Sequence, residues 1–114
     1  MNSNYELMLL GRLDPPSFLD DDAIKACQTY AQAVQTCWTY RRIKGMTLRT
    51  AAELIGAHPP HMTDYLRDEP QRRKLPADKI ADFELVCGNR AISQWLARRN
   101  KLHYIEEITA RRSA

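Results

Sequence analysis

Apolar residues in this chain recur at steps of three and four, the spacing of a single helix face. The first stripe, Ile24, Cys27, Tyr30, Ala31, Val34, Cys37 and Trp38, predicts one long helix from about Asp20 to Arg42. Asp20, Asp21 and Asp22 suit the positive end of its dipole, and Arg41, Arg42 and Lys44 suit the negative end. Ahead of it, Asp14-Pro15-Pro16-Ser17 breaks an apolar segment, so residues 1–16 read as an N-terminal extension.

Residues 47–66 predict two short helices pinched around one glycine. Thr47 can cap the first with its hydroxyl, and Gly56 can end it in the left-handed conformation. His58 is the expected cap of the second, with Pro59 at the first helical position, where a missing N–H costs nothing, and Pro60 just after. Ala52, Ile55, Met62, Tyr65 and Leu66 can face inward, small Ala52 at the close approach. Further on, a polar loop Glu69-Pro70-Gln71-Arg72-Arg73-Lys74 leads to Pro76, which should open a fourth helix carrying Ile80, Phe83 and Cys87 inward until Gly88 stops it. A fifth should run from about Arg90, with Ala91, Ile92, Trp95 and Leu96 on its apolar face, to an end at Asn100. In the tail, Leu102, Ile105 and Ile108 at three-residue steps fit either a last helix or a partner surface. The domain reading is therefore all-α: extension 1–16, body 17–100, tail 101–114.

Composition narrows the class. A chain of 114 residues can bury roughly two thirds of its unfolded surface in one core, so one domain is expected and no disulfide or metal is required. No run is long enough and apolar enough for a membrane span, and Asn4-Tyr5-Glu6-Leu7-Met8-Leu9-Leu10 is too short and lacks the basic start of a secretory signal. Three cysteines, Cys27, Cys37 and Cys87, cannot pair completely and sit among apolar neighbours, which suits reduced thiols in the cytoplasm. Charge is divided unevenly. Residues 1–40 carry two bases against five acids, net −3, while residues 41–114 carry fifteen against nine, net +6, so positive charge begins where the two-helix unit begins.

Candidate chemistry beyond charge is thin. His58 and His61 lie one turn apart, but structural zinc needs four ligands and the sequence offers no second close pair, so no metal is expected. Cys87 falls on a buried face beside Phe83, where a thiolate nucleophile is disfavoured. There is no Gly-rich phosphate loop and no nucleophile elbow, and Glu106 and Glu107 point to different helix faces; an enzyme is not expected, nor a cofactor or small-molecule ligand. Trp38 and Trp95 lie on apolar stripes and read as core anchors, leaving no exposed aromatic platform for single-stranded RNA.

Thr47, Ala52, Gly56, Met62 and Tyr65, with Arg41-Arg42-Ile43-Lys44-Gly45-Met46 before them, resemble the lambda-repressor-like (Cro or XRE-type) helix-turn-helix family, over about two thirds of the chain. The spacing from Lys74-Leu75-Pro76 through Phe83 to Asn89 and Trp95-Leu96 is similar to small phage and prophage regulators of the CII type. The resemblance implies a compact domain of five to six helices and a transcriptional regulator, repressor or Cro-like, that binds double-stranded DNA as a homodimer. The departures are specific. Leu48 stands where the family often has a glutamine that bonds a phosphate, and Pro59, Pro60, His61 and Asp64 occupy positions where the family reads bases.

On this reading the helix from Pro59 to Arg67 enters the major groove. Thr47 or Arg49 on one side and Arg67 on the other should contact phosphates, with Arg72, Arg73 and Lys74 adding loop contacts. His61, Asp64 and Thr63 would meet base edges, Asp64 accepting from cytosine N4, while Pro59 or Pro60 rests on a thymine methyl beside the capping His58. The dimer interface would come from Leu7-Met8-Leu9-Leu10 or from Leu102, Ile105 and Ile108. The alternative is a protein-binding adaptor or antirepressor on the same fold, suggested by Asp64, Asp68 and Glu69 on and just after the second helix and by Pro59 and Pro60 at its tip.

Overall fold

Thr29 divides the expected first helix in two. In the computed structural model, which describes residues 15–113, α1 spans Asp21–Lys25 and α2 spans Tyr30–Thr39. Thr29 is extended (φ −131°, ψ 161°) and its hydroxyl accepts from the Gln32 N–H at 3.2 Å, while the Gln32 side chain reaches back to accept from the Gln28 N–H at 2.8 Å. This is a close variant of the reciprocal capping box, in which two otherwise unpaired donors are satisfied at once. The apolar stripe crosses the break unaltered because both helices pack on one core, Ile24 from α1 and Val34 and Cys37 from α2.

The two-helix unit forms as expected, α3 over Leu48–Ile55 and α4 over Pro59–Tyr65. The Thr47 hydroxyl accepts from the Thr50 N–H at 3.1 Å, and Gly56 takes the left-handed conformation (φ 72°, ψ 28°). The Ala57 N–H then donates to the Ala52 carbonyl at 2.8 Å, closing the helix end in the Schellman manner. Ala51, Ala52 and Ile55 of α3 and Met62 and Tyr65 of α4 are buried, so the inward face is the one that the spacing predicts. His58 differs from expectation. It occupies the cap position of α4, but its side chain makes no cap bond, and Pro59 opens the helix alone.

After α4 the chain is irregular yet tied down on α2. Asp68 accepts from the Thr29 hydroxyl at 2.9 Å and from Gln32 Nε2 at 3.0 Å, Gln35 Nε2 donates to the Leu66 carbonyl, and the Tyr30 hydroxyl donates to the Leu75 carbonyl at 2.7 Å. Burial first and the Glu84 carboxylate second push the Tyr30 phenol up to about 12, so it remains a donor. Pro76 precedes a 3₁₀ turn over Ala77–Lys79 rather than opening a helix directly, and α5 follows over Ile80–Cys87. Gly88 ends α5 in the left-handed region (φ 84°).

The corner between α5 and α6 is polar and buried. Asn89 accepts from the Ala91 N–H at 3.1 Å and donates from Nδ2 to the Cys37 carbonyl at 2.9 Å, joining the start of α6 to α2. Glu84, with no exposed surface, accepts from the Ser93 N–H at 2.7 Å and the Ser93 hydroxyl at 2.6 Å, with Arg90 Nη1 at 3.5 Å. From there α6 runs over Ala91–Ser113 without the expected end at Asn100. No glycine or proline interrupts that span, and an interior asparagine costs only about 0.7 kcal/mol relative to alanine. The tail is thus the second half of α6, and residues 97–107 are exposed along it. The all-α class stands, with six α-helices and one 3₁₀ turn among the described residues, where the sole β feature is an isolated bridge between Ser17 and Asn89.

Candidate nucleic-acid interface

With Met62 and Tyr65 committed to the core, α4 turns its other residues outward: His58, Pro60 and Thr63 are exposed, and Pro59, His61 and Asp64 are partly so. The His58 and His61 rings meet edge to face with centroids 4.7 Å apart, and His61 lies 6.4 Å from the Tyr65 ring. Desolvation, then the Arg73 guanidinium, then His58 lower the His61 pKa against a weaker opposing pull from Asp64. A neutral imidazole therefore stands on this face at neutral pH, able to donate from one ring nitrogen and accept at the other.

Asp64 is the best-connected residue of the face. Its Oδ1 accepts from Arg72 Nη1 and its Oδ2 from Arg73 Nη1, each at 3.1 Å, and only 15% of its side chain is exposed. Desolvation works against the charged carboxylate, but the hydrogen bonds from Arg73 and Arg72 outweigh it and hold the pKa below its ordinary value. Both oxygens that were expected to accept from a base thus already accept from an arginine each. A second hub lies beside it. Glu69 stands 3.7 Å from Arg72 Nε and 3.6 Å from Arg67 Nη1, accepts from Gln71 Nε2 at 3.1 Å, and its carbonyl accepts from Lys74 Nζ at 3.0 Å.

The fold therefore brings His61, Asp64, Arg67, Arg72, Arg73 and Lys74 into one network along α4 and its following loop. Thr47 and Arg49 belong to α3 and have partners there: the Thr47 hydroxyl lies 3.1 Å from that of Thr50, and Arg49 pairs with Glu53 at 3.5 Å while its side chain stays 81% exposed. Glu69 was not among the residues expected to meet DNA and entered only through the protein-binding alternative. Its signal in the sequence is slight, an acid placed within three residues of Arg67 and Arg72 in a loop whose path no periodicity describes.

Other basic clusters are used differently. The Arg41 guanidinium lies over the Trp38 ring at 4.2 Å and donates to the Trp38 and Lys44 carbonyls, and Lys44 donates to the Thr39 carbonyl at 3.0 Å. They serve the end of α2, where carbonyls lack helical partners. Arg98 and Arg99 lie on α6, lining with Ile24, Cys27, Trp95 and Leu102 a shallow groove of about 280 Å³. All three cysteines are unpaired, and the adjacent Cys87 thiol together with burial pushes the Cys37 thiol up, keeping it protonated. Among the described residues no three His, Cys, Asp or Glu side chains are grouped to hold a metal, and no helix is long and apolar enough to cross a membrane. No protein-family model, curated protein or solved structure matches this chain.

Proposed function

We propose that the protein is a sequence-specific double-stranded DNA-binding regulator that lays the outer face of α4 in the major groove. The observation that carries this reading is that α4 packs through Met62 and Tyr65 while His58, Pro60 and Thr63 stand exposed on it near exposed cations, Arg67 and Arg73 with side chains 52% and 62% exposed, and Lys74. A short helix held by its neighbour and flanked by cations is the arrangement in which phosphate contacts fix register while side chains on the helix meet base edges. His61 and Thr63 are the polar candidates for base contact, with Pro60 against a thymine methyl. The excess of positive charge in residues 41–114 supports the same partner. The protein-binding alternative drew on Asp64, Asp68 and Glu69, and each of these is engaged by the chain's own side chains, which leaves less acid on offer to a protein partner.

A homodimer belongs to this reading, because one such unit reads few bases and specificity in this class comes from paired half-sites. Of the two segments expected to supply the interface, Leu7-Met8-Leu9-Leu10 lies outside the described residues, while Leu102 and Ile105 stand exposed on α6.

Selection of bound duplexes from a random library tests the proposal. Enrichment of a two-fold symmetric site is expected, with binding whose logarithm falls against log salt at a slope near −5 if about five phosphates are neutralised. Binding indifferent to salt, or no enriched sequence, would refute it.

A further inference from the structure

We infer that Asp64 is a positioning residue, not a base reader: it holds Arg72 and Arg73 against α4 so that both guanidiniums are set for the DNA backbone. The inference rests on the DNA-binding reading above and assigns Asp64 a role opposite to the one its place in the helix suggests.

Three observations carry it. First, the two carboxylate oxygens are divided between the two arginines, one each at 3.1 Å, and with only 15% of the side chain exposed little of the carboxylate is open to a base. Second, the arginines keep capacity. Each commits one terminal nitrogen to Asp64, and a guanidinium carries five donors; the Arg73 side chain is 62% exposed, so donors remain for a phosphate oxygen. Third, residues 67–76 contain no helix or strand, and without Asp64 the Arg72 side chain would depend on Glu69, and that of Arg73 on solvent, for placement. A free arginine loses rotamer entropy of about 2 kcal/mol on being fixed, and a side chain held beforehand loses less when a phosphate arrives.

Simple electrostatics makes the contrary forecast. An acid on the face presented to a polyanion repels it, so its neutralisation should tighten binding. The Asp64→Asn variant of the full chain separates the two, since it keeps the shape and removes the charge. Positioning requires roughly tenfold weaker binding to the selected site and to random duplex alike, with the salt slope shallower by about one to two, and an unchanged base preference. Asp64→Glu should restore part of the loss. In an Arg72→Ala/Arg73→Ala background, Asp64→Asn should add no further weakening, whereas damage to the helix itself would still be felt there.

Tighter binding by Asp64→Asn, a preference altered at one base pair, or additive losses in the double-arginine background would each overturn the inference while leaving the DNA reading in place. A wild-type protein without salt-dependent DNA binding would overturn the reading itself, and the inference with it.

Discussion

Glu84 is wholly buried and makes three polar contacts, to the Ser93 N–H, the Ser93 hydroxyl and Arg90. Its truncation would leave the two Ser93 donors without their acceptor at a partly buried site, while Arg90, with a side chain 39% exposed, can turn to solvent. Glu84→Ala is expected to destabilise the domain by about 3 kcal/mol and Glu84→Gln by less, because the amide oxygen can still accept from Ser93; denaturant unfolding of the three proteins measures both. Nothing in the sequence advertised this residue, which sits between Phe83 and Leu85 with its partner nine positions away across a turn. Single positions were legible where the backbone alone sets the requirement: Thr47 as a cap, Gly56 and Gly88 with positive φ, and Pro59 at a helix start all lie as the sequence implies. Asp64 was legible as a position on α4 but not as the partner of Arg72 and Arg73, because that pairing depends on where an irregular loop travels.

The elements themselves erred at both long segments, and for opposite reasons. Between α1 and α2 the apolar stripe continued while the helix did not, and the Thr29 to Gln32 spacing was the overlooked stop and start signal. In α6 the helix continued where Asn100 suggested an end, since one unfavourable residue in a long span is outweighed by its neighbours. The two glycine caps offer a graded test of how the elements are joined. A β-carbon on Gly56 would meet only Lys79 Nζ at 3.9 Å, leaving about 1 kcal/mol of left-handed backbone strain. On Gly88 it would fall 1.9 Å from Arg42 Nε, so that side chain must also be displaced. Gly88→Ala should therefore lower the midpoint of thermal unfolding clearly more than Gly56→Ala. Equal losses would mean that the Arg42 side chain relocates without cost.

At the scale of the molecule, buried residues hold α3 and α4 in place, and Arg67, Arg72, Arg73 and Lys74 gather along α4 and its following loop. The all-α class was readable from three- and four-residue periodicity; the clustering of cations beside α4 was readable only as a region, since side-chain pairing across loops leaves no periodic trace. The exposed pair Leu102 and Ile105 makes the assembly testable. Leu102→Glu with Ile105→Glu should convert a dimer to a monomer in sedimentation equilibrium and remove the concentration dependence of the unfolding temperature, while the fold persists because both side chains are about half exposed in the single chain. A wild-type protein that stays monomeric at tens of micromolar would remove this stripe as the interface. If the pairing holds, the uninterrupted course of α6 makes it a ruler as well as a strut. The pairing residues would be fixed in azimuth and distance to the bundle that carries α4, at 100° and 1.5 Å per residue. One residue inserted before Leu102 would then swing two intact heads out of phase with a symmetric site, and seven would nearly restore the angle at a separation changed by about 10 Å per arm.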